Sequence, residues 1–302
     1  MTATLAARCL GKAYGSKWAL RDCTVEVPSG AVVGLVGPNG AGKSTFLELA
    51  VGLLAPTTGE IALWGDAPRE RAELLARLGF LGQGAPLYPS FRVRDLLRFG
   101  REMNWVWDDV WACERLRALE IPLEQRAGAL SGGQRAQVSL TLALAKRPQL
   151  LLLDEPVASL DPLARRQFLR VLMEAVAEHD LTVLLSSHLI ADLERVCDFV
   201  ILLMASEVKL AGEIDQLVAD HRVLIGPRDI DPHLGGVAKV VHAEHAARQT
   251  TLVVRLLGPV HDPRWTLQEI GLEELLLAYM GAGTVFVDQL AAEARGAKGH
   301  AV

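Results

Sequence analysis

Short apolar runs alternate with stretches of helical periodicity along the first two-thirds of the chain. The apolar runs are continuous rather than alternating, which is typical of strands that are buried on both faces of a parallel sheet. They are Ala31–Val36, Arg77–Leu81, Leu150–Leu153, Leu181–Leu185 and Phe199–Ala205. The helical stretches are Ser44–Gly52, Arg92–Leu119, the segment from Ser131 to Lys146, and Pro162–His179. This alternation predicts an α/β fold in which helices cover a parallel sheet.

The pattern changes near His221. Beyond it, three short runs predict strands, and Thr266–Met280 has the spacing of an amphipathic helix. The three runs are Val223–Ile225, Ala238–His242 and Thr250–Leu257. We therefore predict a first domain over residues 1–220 and a small α+β domain over residues 222–302. From Asp288 onward the chain is rich in Ala and Gly, which predicts a frayed helix or disorder.

Composition narrows the functional classes. A net charge of -5 gives no general attraction to nucleic acid or anionic lipid. Four widely separated cysteines without a CxxC pair argue against a disulfide framework or a zinc site, and they suit a reducing cytoplasm. No apolar stretch approaches the ~20 residues that a membrane helix needs. The first fifteen residues lack the features of a signal peptide.

A phosphate-binding motif lies between the first predicted core strand and the helix that follows. The segment 37–44 matches the P-loop pattern G-x-x-x-x-G-K-[ST]. Its glycines allow successive backbone N–H groups to face phosphate oxygens, and the helix N-terminus adds a positive dipole end. Lys43 is expected to reach the β- and γ-phosphates, and the Ser44 hydroxyl to bind Mg²⁺. The predicted nucleotide-binding residues of this segment are Gly37, Pro38, Asn39, Gly40, Ala41, Gly42, Lys43, Ser44 and Thr45.

Two adjacent acids end the apolar run Leu150–Leu153. Ligands of parallel sheets lie at the carboxyl ends of the strands, where Asp154 and Glu155 are placed. Asp154 is expected to hold Mg²⁺, and Glu155 to act as the general base toward the attacking water.

A third motif, Leu130-Ser-Gly-Gly-Gln134, combines a Ser N-cap with two glycines that open a helix, which indicates a further anion site. In order with the P-loop and the Asp-Glu strand, it resembles the signature of ABC ATPases. The resemblance covers residues 1 to about 220. It implies a RecA-like P-loop NTPase core, with a helical subdomain inserted at about residues 86–146. It also implies that Ser131, Gly132, Gly133 and Gln134 contact ATP held by the P-loop of a second subunit.

Smaller elements match the same family. Tyr14 matches the aromatic residue that stacks on adenine. Gln83 matches the glutamine that senses Mg²⁺ and the attacking water. His188, in Ser186-Ser-His, matches the histidine that contacts the γ-phosphate. Ser159-Leu-Asp161 resembles the loop that crosses the dimer interface in this family, and Ala158 stands where many members have Gly or Ser.

All the catalytic elements are intact, so the resemblance implies an ATPase with two competent sites in a head-to-tail homodimer. Pairing with a companion ATPase chain is the alternative. ATP would close the dimer, and hydrolysis would loosen it.

The expected role is in a transporter, with an integral membrane permease as a separate chain. The segment Pro86–Asp95 resembles the region that receives a coupling helix in ATPases of drug- or lipid-export systems, which implies export. Trp105, Trp107 and Trp111 either line that groove or form core. The helix around Gly271–Met280 resembles the extension of the same group weakly, and a dimerisation or regulatory module fits it equally. We expect the protein in the cytoplasm, peripherally on the inner face of the cell membrane.

Two other functions fit the sequence less well. ABC ATPases that act on nucleic acid or ribosomes usually carry two cassettes or a coiled-coil insertion, and this chain has neither feature nor a basic run. No nucleic-acid partner is therefore expected. A catalytically silent regulator is disfavoured because Glu155, Gln83 and His188 are all present.

Overall fold

A computed structural model describes residues 3–68, 72–178, 180–228 and 235–281. The chain divides into two compact units, Met1–Ala211 and Gly212–Val302. The division lies slightly earlier in the chain than the change of pattern near His221. The predicted tail from Asp288 lies outside the described residues.

The strands in the first unit form two sheets. They are β1 (Ala3–Tyr14), β2 (Lys17–Pro28), β3 (Val32–Val36), β4 (Thr58–Leu63), β5 (Leu78–Leu81), β6 (Leu150–Leu153), β7 (Thr182–Ser187), β8 (Phe199–Met204) and β9 (Glu207–Glu213). The helices are α1 (Lys43–Ala50), α2 (Ala72–Ala76), α3 (Val93–Met103), α4 (Asp109–Ala118), α5 (Gly132–Ala145), α6 (Pro162–Glu178) and α7 (Ile190–Leu193).

The larger sheet has the strand order β5-β6-β7-β3-β8-β9. Its pairings from β5 through β8 are parallel, with Leu153 opposite Leu185 and Leu185 opposite Gly34. Every residue of β3, β6 and β7 is buried, as expected of inner strands in a parallel sheet that is covered on both faces. The parallel sheet that the apolar runs predicted is confirmed, and its carboxyl edge carries the P-loop and the Asp154–Glu155 pair.

The smaller sheet is antiparallel, with the order β2-β1-β4, and the sequence pattern did not predict it. Leu5, Leu20 and Leu63 are fully buried in a cluster that these strands share with α1 and the parallel sheet. The sheet therefore packs against the P-loop side of the core.

Helices α3, α4 and α5 surround a separate apolar cluster that includes Leu96, Leu97 and Leu116. The predicted helical stretch Arg92–Leu119 is broken between α3 and α4, where Asn104 Nδ2 donates 2.7 Å to Gly100 O. A Cβ on Gly100 would lie 2.3 Å from the Trp107 ring, so the glycine allows this close contact.

The three tryptophans of this region differ in burial. Trp107 and Trp111 are partly buried against the cluster of α3, α4 and α5. Trp105 is 72% exposed, so the core interpretation is wrong for this residue. The reason is that Trp105 lies in the break between the two helices rather than on an apolar helix face.

The second unit is an antiparallel sheet with helices. Its elements are α8 (Ile214–Asp220), β10 (His221–Pro227), β11 (Val237–His245), β12 (Gln249–Leu256), β13 (Thr266–Gln268) and α9 (Leu272–Gly281), and the strand order is β11-β12-β10-β13. The predicted helix Thr266–Met280 is wrong in its first part. Residues 266–268 pair with β10, and the helix begins only at Leu272. Within the described ranges, none of the helices has the length and apolarity required for a membrane span.

Candidate functional site

The P-loop connects the buried strand β3 to the first turn of α1. Gly42 precedes α1 with φ +108°, and a Cβ at this position would lie 2.4 Å from Ala19 O. Only glycine fits this close approach to β2. No side chain caps α1, so the N–H groups of its first turn are available to an anion.

Lys43 folds back over the loop that precedes it. Its side chain is 6% exposed, and Nζ donates to Gly37 O at 2.8 Å and to Pro38 O at 3.3 Å. The same ammonium lies 3.3 Å from Glu155 Oε1. The sequence placed these two residues about 110 positions apart, and the fold brings them into one ion pair.

Glu155 lies between Lys43 and His188. Its Oε2 is 2.8 Å from His188 Nδ1, and its side chain is only 9% exposed. His188 is 44% exposed, so part of the imidazole is open to solvent. The nearly buried carboxylate therefore lies between a fixed cation and an accessible imidazole.

Asp154 is buried at the carboxyl end of β6. Its N–H donates 2.8 Å to Leu81 O at the end of β5, and its Oδ1 accepts a 2.7 Å hydrogen bond from Ser186 Oγ. Gln83 follows β5 two residues later and is exposed. The pairing of β5 with β6 thus brings the loop that contains Gln83 close to Asp154. Sequence reasoning did not assign Ser186; the only signal was its position two residues before His188.

The oxygen donors of this region fit Mg²⁺. Ser44 offers a hydroxyl, Gln83 an amide oxygen and Asp154 a carboxylate, and Mg²⁺ binds oxygen ligands. Across the described residues there is no group of three or more His, Cys, Asp or Glu side chains placed to hold a metal. Mg²⁺ in nucleotide sites does not require such a group, because it is held by one or two carboxylates together with substrate phosphates.

Tyr14 lies at the turn between β1 and β2. It is 51% exposed, and Lys12 Nζ is 5.4 Å from the centroid of its ring. Strand β2 contacts the P-loop where Ala19 O approaches Gly42. The predicted adenine-stacking residue is therefore exposed on a hairpin whose second strand borders the phosphate loop.

The signature residues form a second cluster. Ser131 and Gln134 make a capping box at the start of α5, in which Ser131 Oγ accepts from Gln134 N at 3.2 Å and Gln134 Oε1 accepts from Ser131 N at 3.0 Å. Asp161 Oδ1 accepts the N–H groups of Leu163 and Ala164 at the start of α6.

The two helix starts of this second cluster are neighbours, because a Cβ on Gly133 would lie 3.2 Å from Ala164 Cβ. In the part of the chain that the structure describes, no hydrogen bond or ion pair connects Ser131 or Asp161 to Lys43 or Glu155. The polar contacts of the described residues therefore sort the predicted site residues into two groups.

Comparison with known proteins supports a nucleotide site. Residues 20–158 match the family model described as ABC transporter. The Aliphatic sulfonates import ATP-binding protein SsuB 2 of Pseudomonas fluorescens is 40% identical over 211 residues, which cover 68% of this chain and 75% of that protein. The ABC transporter ATP-binding protein YtrB of Bacillus subtilis is 27% identical, and its match covers 91% of this chain and 97% of that protein. Since the first unit ends at Ala211, the YtrB match extends well into the second unit.

Solved structures of ATP-binding cassettes resemble a large part of this chain. An ATP-binding subunit of an ABC transporter is 29% identical with a TM-score of 0.64, and the match covers 72% of this chain and 92% of that one. An ATP-binding cassette in a post-hydrolysis state, a dimer bound to ADP and Pi, is 26% identical with a TM-score of 0.60. That match covers 69% of this chain and 98% of the cassette.

Proposed function

Because this chain belongs to the ATP-binding proteins of the ABC transporter family and is an ATPase, we propose that it supplies the energy of ATP hydrolysis to a separate membrane permease. The observation that carries the proposal is the cluster of Lys43, Glu155 and His188 beside a P-loop. Such a cluster combines phosphate binding, a base and a γ-phosphate contact.

The residues of this cluster divide the chemistry. Lys43 neutralises charge on the transferred phosphate, and the glycine loop with the α1 N-terminus holds the remaining phosphate oxygens. Glu155 orients the attacking water and accepts its proton, while His188 holds the other carboxylate oxygen and meets the γ-phosphate with its exposed face. The products are ADP and phosphate.

Ser44, Gln83 and Asp154 are the residues that would hold Mg²⁺, which would neutralise negative charge on the phosphates of the nucleotide. Gln83, exposed at the end of β5, reports the state of this site to the helical subdomain that follows it in sequence.

Two copies of the chain complete each site. The P-loop half of one copy faces the half formed by Ser131, Gly133 and Asp161 of the other, with ATP between them. Two observations support this arrangement: the two halves lack a polar contact within one chain, and a related cassette forms a dimer with ADP and Pi. Ser131 to Gln134 and Tyr14 bind the nucleotide in this arrangement, and a companion ATPase chain is the alternative partner.

The permease is expected to dock on an aromatic patch, which we define as Tyr88, Phe91 and Phe99. These side chains are 61%, 38% and 46% exposed, and the ring of Tyr88 lies 5.2 Å from that of Phe91 and 6.4 Å from that of Phe99. Exposed apolar groups that contact one another mark interaction surfaces. Tyr88 and Phe91 lie in the segment Pro86–Asp95, whose sequence resembles the coupling region, and Phe99 follows on α3. Docking at this patch would bring the ATPase to the inner face of the membrane.

The resemblance of one segment and the names of the relatives indicate opposite directions of transport. The resemblance of Pro86–Asp95 implies export. The sulfonate relatives are named as import proteins, and the match to SsuB 2 covers 68% of this chain. The named relatives therefore do not support export, and YtrB, which matches more of the chain, has a name without a direction.

The proposal is tested by purifying a tagged Glu155→Gln chain from detergent-solubilised membranes with ATP and Mg²⁺. A multi-helix membrane protein in stoichiometric amount is the expected result, and its identity decides the direction. Tyr88→Ser combined with Phe99→Ser should release it. Leu257→Ser is the matched control, because it removes an 84% exposed leucine outside the patch. Recovery only from the soluble fraction, or with ribosomes or nucleic acid, would contradict the proposal.

A further inference from the structure

Ser186 is a fully buried residue at the end of β7 whose hydroxyl joins the two adjacent acids. Its Oγ donates to Asp154 Oδ1 at 2.7 Å and accepts from the backbone N–H of Glu155 at 2.8 Å. The last ladder pair between β6 and β7 is Leu153 with Leu185. The hydroxyl of Ser186 therefore continues the contact between the two strands beyond the point where their backbones separate.

The direction of both hydrogen bonds is fixed by chemistry. A hydroxyl has one hydrogen to donate, an ionised carboxylate only accepts, and a backbone N–H only donates. The Ser186 hydroxyl therefore donates its hydrogen to Asp154 Oδ1, and its oxygen accepts the backbone N–H of Glu155. One oxygen of Asp154 is held in this way, and the orientation of the other follows from it.

The backbone of Glu155 gives the second reason for a specific role. Its φ is +48°, a left-handed conformation that is unfavourable for a residue with a Cβ. Such conformations persist where the surroundings hold them, and they cluster at active sites. The N–H of Glu155 is the group that Ser186 Oγ accepts. The turn at Glu155 directs its carboxylate toward Lys43 and His188.

We propose that Ser186 is a positioning residue for ATP hydrolysis, which fixes Asp154 and Glu155 relative to each other through one hydroxyl. The inference rests on the roles proposed above for these two acids. Outer partners of metal-binding groups typically change metal affinity or activity about 10- to 100-fold when removed. Replacing Ser186 by alanine deprives Asp154 of a donor and Glu155 of an acceptor in a single change.

The test compares Ser186→Ala with Thr182→Val, a matched control on the same strand. Thr182 is 2% exposed and its Oγ1 also accepts a backbone N–H, that of Gly30 at 2.9 Å, but it lies at the opposite end of β7. Both variants lose a buried hydroxyl. Only Ser186→Ala should lower kcat, by about 10- to 100-fold, with a much smaller change in the KM for ATP because the P-loop contacts remain.

A second readout does not depend on turnover. The affinity for Mn²⁺ is measured in the presence of a non-hydrolysable ATP analogue, with electron paramagnetic resonance reporting the free ion. This affinity should weaken about tenfold in Ser186→Ala and remain unchanged in Thr182→Val. Ser186→Thr keeps the hydroxyl and should restore both readouts. Ser186→Cys, with a weaker donor, should be intermediate, and it replaces the alanine variant if that one fails to fold.

Two results would overturn the inference: a kcat for Ser186→Ala within twofold of the parent chain, or equal losses in Ser186→Ala and Thr182→Val. Failure of the role proposed for Glu155 is distinguishable, because Glu155→Gln would then hydrolyse ATP at more than about a tenth of the parent rate, whatever the outcome at Ser186.

Discussion

Replacing Glu155 by glutamine isolates the proposed general base. Glutamine keeps the size of the side chain and removes its charge. Lys43 Nζ keeps its hydrogen bonds to Gly37 O and Pro38 O, so the P-loop should stay formed and ATP should still bind. The 9% exposed carboxylate is the group removed, and its distances to Lys43 and His188 are 3.3 and 2.8 Å.

The expected fall in the hydrolysis rate is the contribution of a positioned general base. General base catalysis contributes about 10²- to 10⁴-fold, which at about 1.36 kcal/mol per factor of ten raises the barrier by roughly 3–5 kcal/mol. The loss should appear in kcat, because the contacts that bind ATP before the reaction are unchanged. The thermal midpoint should shift by only a few degrees, since about 1 kcal/mol corresponds to roughly 2–4 °C for a domain of this size.

The assay is steady-state phosphate release at saturating ATP and Mg²⁺, together with equilibrium binding of ATP. Glu114→Gln, which removes an exposed carboxylate on α4, is the control and should hydrolyse ATP at the parent rate. Phosphate release by Glu155→Gln at more than about a tenth of the parent rate would refute the assignment of Glu155 as the base.

Three further changes test the local structure. Gly42→Ala forces a Cβ to 2.4 Å from Ala19 O, so the affinity for ATP, measured by equilibrium titration, should fall more than about tenfold. Gly65 has φ +89° and nothing within 4 Å of its Cβ position. Gly65→Ala should therefore add only backbone strain, which lowers the free energy of urea unfolding by about 1–3 kcal/mol. Asp108→Ala removes the cap to Trp111 N and the ion pair with Arg147, and should lower unfolding free energy by about 1–2 kcal/mol; an unchanged urea midpoint would contradict this role. Burial lowers the pKa of His221, so the folded state favours the neutral imidazole and stability should fall as pH drops below the unfolded value near 6.5. In His221→Gln this part of the pH dependence between pH 8 and 5.5 should be absent from thermal unfolding.

The sequence predicted the elements whose signals are local. The continuous apolar runs of β3, β6 and β7 and the Ser131 cap of α5 each depend on neighbouring residues only, and the structure has all four. The motif order also predicted which strand ends meet at the carboxyl edge of the sheet, because parallel strands place their loops together.

The missed features depend on distant partners. Residues 266–268 have a helical pattern but form a strand because β10 offers them an edge. The antiparallel sheet joins β1 and β2 to β4, which lies about thirty residues beyond them, and no local pattern shows that pairing. No local pattern indicates the role of Ser186, because its two hydrogen bonds reach residues 154 and 155, which follow another strand.

Sedimentation velocity of Glu155→Gln tests most directly whether ATP binds between two copies of this chain, as we propose. We predict a monomer without nucleotide and a dimer with ATP and Mg²⁺. A second variant, Ser131→Arg in the same background, should bind ATP at its intact P-loop yet remain a monomer. A dimer that forms equally with and without ATP, or with Ser131→Arg as readily as without it, would contradict the shared site.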